Sequence, residues 1–169
     1  MKIDTGRFTF GVLTMSDKGS RGEREDTSGP YLLQTLKDLG YKQKVYAVIP
    51  DRIENIQKTL VSWVDEEKVD LIVTTGGTGV APTDVTPEAM VDVIEKEIPG
   101  MAEAMRAESL KKTPNAVLSR GKAGIRGNSL IINLPGSEKA ARENIAVLLP
   151  ALAHALDKIQ GGVSDCGVG

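Results

Sequence analysis

The sequence predicts an α/β protein built on an open, mostly parallel sheet with helices on both faces. Two observations carry this prediction. Short apolar runs alternate with stretches in which apolar residues recur at helical spacing, as expected of repeated βα units. The length of 169 residues suits a single domain. We expect this domain to span residues 1–160, and residues 161–169 to form a short flexible tail.

Four strands and five helices are expected along the chain. The strands are apolar runs at residues 7–15, 44–49, 70–75 and 130–134. The helices are expected at residues 28–40, 51–68, 86–98, 101–111 and 137–160, the last with a kink at Pro150. Ser28 and Thr86 are predicted N-caps, and Pro87 is predicted at the first helical position. Residues 16–27 are predicted to form a loop, and the glycine-rich stretch 116–127 fits no single element.

The composition excludes several classes of function. Lys and Arg number 21 and Asp and Glu 23, so the net charge of −2 argues against a polybasic nucleic-acid or membrane binder. No apolar run is long enough to span a bilayer, and the single cysteine indicates a reducing, cytoplasmic setting. The single histidine argues against a zinc site and against a Ser-His-Asp arrangement.

A glycine-rich segment with the sequence TGGTG, Thr75 to Gly79, follows the third predicted strand. Successive backbone N–H groups in such a segment can turn toward an anion. The carboxyl ends of parallel strands are also where ligands bind in open sheets. The alternative is a tight turn without a ligand, and spacing alone does not decide between them. If the segment binds phosphate, we expect Gly77→Val to lose ligand affinity with little change in melting temperature.

Two aspartates at the same predicted edge admit two interpretations. Asp51 directly follows the second strand, and Asp84 directly precedes the helix at Thr86. Carboxylates beside an anion-binding loop favour Mg²⁺ held between them and substrate phosphates. Equally, Asp51 with Glu54 fits a capping box, and Asp84 fits a capping residue near a helix N-terminus.

Three further segments carry polar residues between predicted elements. Residues 16–29 contain the polar side chains Ser16, Asp17, Asp26 and Ser28, which fit either a ligand loop or an ordinary solvated loop. Arg120 and Arg126 lie among glycines, which suits forked phosphate contacts, although they could equally be surface residues. In the Pro135-Gly136-Ser137 segment, Ser137 could simply be an N-cap.

Together these segments resemble the molybdopterin-binding, MogA-like family, which includes molybdopterin adenylyltransferases and the G domain of gephyrin. The matching motifs are TGGTG at 75–79, DVTPEA at 84–89, SD at 16–17 with DTSG at 26–29, IPD at 49–51, SR at 119–120 with AGIRG at 123–127, and NLPG at 133–136. The resemblance extends from Phe8 to Gln160, and the motifs occur in the expected order.

The resemblance implies a three-layer α/β/α domain that assembles as a homotrimer. It implies transfer of AMP from ATP to the terminal phosphate of molybdopterin, with release of pyrophosphate. The product would pass to a molybdate-inserting partner enzyme, and neither nucleic acid nor membrane is an expected partner. Asp51 and Asp84 match the family's essential acids, which implies that they are catalytic and hold Mg²⁺.

The resemblance also implies a set of residues that bind molybdopterin and the nucleotide. They are Ser16, Asp17, Asp26, Ser28, Gly29, Thr75, Gly76, Gly77, Thr78, Gly79, Thr86, Pro87, Glu88, Ser119, Arg120, Gly124, Arg126, Gly127, Pro135, Gly136 and Ser137.

One departure and one alternative follow from this resemblance. Many members carry a basic residue where this chain has Thr83, so Arg120, Lys122 or Arg126 would have to supply that charge. The alternative function is a MoaB-like protein or a non-enzymatic molybdopterin-binding trimer of the same fold. Because binding alone needs no paired metal ligands, the presence of both Asp51 and Asp84 favours the enzyme.

Overall fold

A computed structural model describes residues 3–163 of the chain, so residues 164–169 of the predicted tail lie outside the described part. Six strands form one sheet in the order β2-β1-β3-β6-β5-β4. They are β1 (Thr9–Met15), β2 (Lys42–Ile49), β3 (Leu71–Thr75), β4 (Lys96–Glu97), β5 (Ala123–Arg126) and β6 (Ser129–Leu134). Strands β2, β1, β3 and β6 are parallel, whereas β5 runs antiparallel to β6 and β4 antiparallel to β5.

Helices cover both faces of this sheet, which confirms the predicted three-layer α/β/α architecture. They are α1 (Asp17–Ser20), α2 (Ser28–Asp38), α3 (Ile53–Asp65), α4 (Thr86–Val91), α5 (Pro99–Leu110) and α6 (Glu138–Ile159). Helices α2, α5 and α6 contribute to the core on one face, and α3 and α4 contribute to the core on the other. Two short 3-10 turns, Thr5–Arg7 and Pro114–Leu118, lie outside these helices.

The central strands explain why the sheet is parallel and buried. All residues of β3 and β6 are buried, because helices cover both of their faces. The single tryptophan, Trp63 of α3, packs against Gly11 of β1, where a Cβ atom would lie 3.2 Å from its ring. Glycine at this position therefore lets α3 approach the sheet closely.

The predicted central elements are confirmed, while several peripheral predictions are wrong. The predicted loop 16–27 begins with the four-residue helix α1, whose N-terminus is capped by the Ser16 side chain. Helix α4 ends at Val91 rather than near Ile98, because the chain turns to pair with β5 through the Glu95 N–H and the Ile125 carbonyl. The strands β4 and β5 were not expected, since each is too short to show a period.

Helix α6 runs as one element through Pro150, and Ser137 caps it by accepting a hydrogen bond from the Ala140 N–H at 3.2 Å. Within residues 3–163, no helix combines the length and the apolar character that crossing a membrane would require.

Candidate functional site

The carboxyl ends of four parallel strands meet at one edge of the sheet. Met15 of β1 is opposite Ile49 of β2, and Thr75 of β3 is opposite both Thr14 of β1 and Leu134 of β6. The loops that follow these strands therefore lie side by side, and they carry the Ser16, Asp51, Gly76 and Pro135 segments. We call this the carboxyl edge.

The turn after β3 requires glycine at its first two positions. Gly76 and Gly77 have φ of 105° and 67°, in the left-handed region that other residues rarely adopt. A Cβ atom at Gly76 would overlap the Met15 carbonyl oxygen, and one at Gly77 would overlap the Thr86 hydroxyl. That hydroxyl donates to the Gly76 carbonyl at 3.0 Å. The expectation that Gly77→Val spares the fold is therefore wrong, because the turn itself excludes a side chain.

The same turn leaves backbone donors free. The Gly76 N–H donates to the Leu134 carbonyl at 3.1 Å. In the described part of the chain, the N–H groups of Gly77, Thr78 and Gly79 have no acceptor. Three successive free donors on one turn suit an anionic group.

Asp51 is held by Asp17 rather than by the helix that it precedes. The Asp17 N–H donates to Asp51 Oδ2 at 3.0 Å, and the Asp51 N–H donates to Asp17 Oδ1 at 3.1 Å. The N-cap of α3 is Arg52, with no side-chain cap, so the capping-box interpretation of Asp51 is wrong. Burial raises the pKa of the Asp51 carboxyl, and the carboxylates of Asp17 and Asp84 raise it further.

Asp84 closes a turn of its own and does not cap α4. Its Oδ2 accepts from the Ala81 N–H at 2.9 Å. The N-cap of α4 is Val85, and Thr86 is already the first helical residue, so the predictions for Thr86 and Pro87 are each displaced by one position. Thr86 instead joins the turn at Gly77, since its N–H donates to the Gly77 carbonyl at 3.1 Å.

Asp26 organises the loop that leads into α2. Its Oδ2 accepts from the Thr14 hydroxyl at 2.7 Å and from the Tyr46 hydroxyl at 2.6 Å, and its Oδ1 accepts from the Gly29 N–H at 3.0 Å. Burial and the hydrogen bond to Asp26 raise the pKa of Tyr46. Ser28 donates to the Gly136 carbonyl at 2.8 Å and is not an N-cap, which corrects that prediction.

Two cavities open at the carboxyl edge, one on each side of the glycine turn. The first cavity has a volume of about 410 Å³, and the second about 390 Å³. Predicted site residues that line the first include Ser16, Asp26, Ser28, Asp51, Thr75, Gly76 and Ser137. Those that line the second include Thr78, Gly79, Ser119 and Pro135. Gly77, Asp84 and Gly136 line both, so the cavities meet at the turn.

Comparison with known proteins places this arrangement in a family. Residues 11–154 match the family described as "Probable molybdopterin binding domain". The chain belongs to this molybdopterin-binding family. It is 46% identical over 154 residues to the molybdopterin adenylyltransferase of Helicobacter pylori strain 26695, covering 90% of this chain and 88% of that protein.

Solved structures and longer relatives agree with this membership. The molybdopterin biosynthesis enzyme MoaB from Thermus thermophilus has a TM-score of 0.86 and 50% identity, covering 91% of this chain and 97% of that one. The Drosophila melanogaster protein cinnamon, a molybdenum cofactor synthesis protein, is 46% identical over 93% of this chain, which spans only 26% of cinnamon.

In this member of the molybdopterin-binding family, Arg120 stabilises the candidate site without lining either cavity. Its backbone N–H donates to the Thr78 carbonyl at 2.8 Å. Its Nε donates to the Gly79 carbonyl at 2.7 Å, and its Nη2 donates to the Asp84 carbonyl at 2.8 Å. Its Nη1 pairs with Glu88, which lowers the pKa of Glu88. Arg120 therefore ties the glycine turn to the Asp84 turn.

The structure does not bring the second arginine segment to this edge. The antiparallel strand β5 runs away from the cavities; it contains Gly124 and Arg126 and is followed by Gly127. Arg126 is opposite Ser129 at the start of β6. Arg126 donates to Asp65 at 2.7 Å and 3.1 Å. Its neighbour Gly127 lines a separate cavity of about 460 Å³ at that opposite edge. Lys122, the other candidate cation, pairs with Glu97 at 3.1 Å.

Sequence reasoning missed the arginines that line the two cavities. Arg24 lines the first cavity and Arg106 the second. Ser109, Thr113, Asn115 and Asn144 were also missed in the second cavity. The available signal for Arg106 was its position next to Met105 on the buried face of α5, where a charged residue is unusual.

Proposed function

We propose that this protein is a molybdopterin adenylyltransferase, which transfers AMP from ATP to the terminal phosphate of molybdopterin. The observation that carries the proposal is the junction of two cavities at one turn with free N–H donors. A transferase needs two substrates whose reacting groups meet at one point. The relatives named molybdopterin adenylyltransferase, 46% identical in Helicobacter pylori and 38% in Pyrococcus furiosus, support the same assignment.

The proposed reaction demands alignment more than acid–base chemistry. An oxygen of the molybdopterin monophosphate attacks the α-phosphorus of ATP, the bond to the β-phosphate oxygen breaks, and pyrophosphate leaves. The nucleophile is already anionic, so no general base is needed. The chain would contribute orientation and charge stabilisation through the Gly77, Thr78 and Gly79 N–H groups, in the manner of other phosphoryl transfers.

We propose Mg²⁺ as the cation, held by Asp51 and Asp84. The Oδ1 atoms of both residues accept no hydrogen bond within residues 3–163, so each carboxylate has one free oxygen. No group of three or more His, Cys, Asp or Glu among the described residues is arranged to hold a metal. Mg²⁺ is typically coordinated by one or two carboxylates, and substrate phosphates and water complete its coordination. The ion would neutralise charge on the phosphates.

The test is direct incubation of the protein with molybdopterin and MgATP. We expect pyrophosphate and adenylyl-molybdopterin in equal amounts, and neither product when molybdopterin is omitted. Tight binding of molybdopterin without pyrophosphate would instead support the MoaB-like or non-enzymatic alternative. The observation that supports this alternative is the 50% identity to the Thermus protein named MoaB.

We also propose a homotrimer that passes its product to a molybdate-inserting partner enzyme. Exposed apolar side chains near the end of α5 and the following 3-10 turn, Leu110 and Val117, offer surface for contact between copies. Light scattering at micromolar concentration is expected to give three times the monomer mass, and a monomer throughout that range would contradict the trimer.

A further inference from the structure

Arg106 is held in place by backbone carbonyls. It lies on α5 next to the buried Met105 and is itself half-buried. Its Nη1 donates to the Gly121 carbonyl at 3.2 Å and more weakly to the Ser119 carbonyl at 3.5 Å. One end of the guanidinium is thus fixed, and the side chain lines the second cavity beside the glycine turn.

The charge of Arg106 has no carboxylate partner in the described part of the chain. The second cavity has two carboxylates, and neither forms an ion pair with Arg106. Glu143 pairs with Lys112 at 3.3 Å, and Asp84 accepts from the Ala81 N–H. An arginine stays protonated in proteins, so a partly desolvated guanidinium here favours an anion.

The unused donors of Arg106 determine which kind of anion it can bind. Only Nη1 has a protein acceptor within residues 3–163, which leaves Nε and Nη2 without one. These two nitrogens form the planar fork that binds phosphate in a bidentate manner. Two cations of the neighbouring 119–122 segment, Arg120 and Lys122, are already paired with Glu88 and Glu97.

We propose that Arg106 binds a phosphate group of the ligand that occupies the second cavity. The inference rests on the proposed function, which supplies two phosphate sources: the triphosphate of ATP and the monophosphate of molybdopterin. Arg106 would act together with the free N–H groups of the glycine turn, which line the same cavity. It is then a substrate-binding residue that supplies the positive charge absent at Thr83.

A purely structural role is the competing explanation, because Arg106 also supports the 119–121 segment. Two variants separate the roles. Arg106→Lys keeps the charge and can donate to a carbonyl, whereas Arg106→Gln can donate to a carbonyl but has no charge. If Arg106 contacts phosphate, the Arg106→Lys variant should retain more ligand affinity than the Arg106→Gln variant at equal melting temperature. A structural role predicts affinity losses that follow the melting temperature in both variants.

The experiment is calorimetric titration of wild type and both variants with molybdopterin, MgATP and pyrophosphate. Arg142→Gln is the matched control, since Arg142 pairs with Glu138 and lies over the Tyr31 ring, outside both cavities. We expect Arg106→Gln to weaken one substrate about tenfold to a hundredfold, the range for hydrogen bonds to charged groups. The control is expected to remain within about twofold of wild type.

The titrations also identify the phosphate. Loss for MgATP and pyrophosphate assigns Arg106 to the nucleotide, and loss for molybdopterin alone assigns it to the pterin phosphate. Unchanged affinity for all three ligands, or losses that only follow melting temperature, would overturn the inference and leave the proposed function intact.

If wild type binds neither substrate, the proposed function fails and pyrophosphate alone tests Arg106. A shift of the Arg106 Nε–H signal in nuclear magnetic resonance on addition of pyrophosphate then supports the anion site. The absence of any shift overturns it.

Discussion

Arg120 precedes the antiparallel strand β5 and Arg126 ends it, only six residues later, and the two arginines serve different parts of the molecule. Arg120 is at the carboxyl edge, where it donates to the carbonyls of Gly79 and Asp84. Arg126 is at the opposite edge, where it donates to Asp65 and to the Val93 carbonyl. The direction of one strand therefore decides which arginine belongs to the candidate site and which to the scaffold.

The largest difference between the edges is expected from removing carboxylate charge. Asp51→Asn and Asp84→Asn should each lower pyrophosphate release by on the order of a hundredfold or more, because Asn keeps hydrogen bonds but not the charge that Mg²⁺ requires. Both should still bind molybdopterin. Asp65→Asn, which removes the partner of Arg126, should leave turnover within about twofold. Near-normal turnover in both site variants would contradict the two-aspartate mechanism.

The two edges also differ in how closely other atoms approach a glycine whose φ lies in the left-handed region. Gly77 and Gly127 have similar φ, 67° and 54°, but a Cβ at Gly127 would meet only a Val64 methyl at 3.9 Å. Gly127→Ala should therefore cost only backbone strain, about 1–2 kcal/mol. Gly77→Ala adds a clash with Thr86, for an expected further loss of about 1–3 kcal/mol in urea unfolding. Equal losses in the two variants would mean that the turn relaxes freely.

Replacing the two arginines themselves sharpens the comparison. Arg120→Gln removes the tie between the glycine and Asp84 turns, so we expect roughly a tenfold loss of turnover, about 1.4 kcal/mol in the transition state. Arg126→Gln should lower the melting temperature slightly and leave turnover per folded molecule unchanged. Steady-state kinetics with calorimetry of both variants measures this. Equal loss of turnover in both would show that the edges are coupled.

The smallest expected effect is a pH dependence of opposite sign at the two edges. Burial raises the pKa of Asp51, so its contribution to stability is present at low pH and is lost as pH rises through that pKa. The hydrogen bond from Arg126 lowers the pKa of Asp65, so its contribution is present at neutral pH and is lost on acidification. At pH 7, Asp51→Asn should raise the melting temperature and Asp65→Asn should lower it. The Asp51 difference should vanish below about pH 4, the ordinary aspartate range. The Asp65 difference should begin to shrink there and vanish only at lower pH, below the lowered pKa of Asp65.

Local pattern predicted the parts of the molecule whose evidence is local. The four parallel strands and the long helices α3 and α6 appeared as apolar runs and helical spacing, and the carboxyl edge followed from their order. The gathering of Asp51, Asp84 and the glycine turn was predictable for that reason, although the capping interpretations could be settled only by the hydrogen bonds.

The remaining features depend on contacts between distant segments. The antiparallel direction of β5 comes from pairing with β4 and β6, and no residue in Ala123–Arg126 reveals it. The position of Arg106 in a cavity depends on α5 packing beside the 119–121 segment. Pairwise partners such as Glu88 for Arg120 likewise became visible only in three dimensions.

The packing of Trp63 on Gly11 gives the protein an internal optical reporter. The only tryptophan is 8% exposed, so its emission should be blue-shifted in the native state and shift to longer wavelength when α3 leaves the sheet. Its helix begins two residues after Asp51, yet its ring lies in the core. Ligand occupying the carboxyl edge should therefore leave the native spectrum nearly unchanged while moving the denaturation midpoint, by about 2.7 kcal/mol of added stability at a ligand concentration of 100 times Kd.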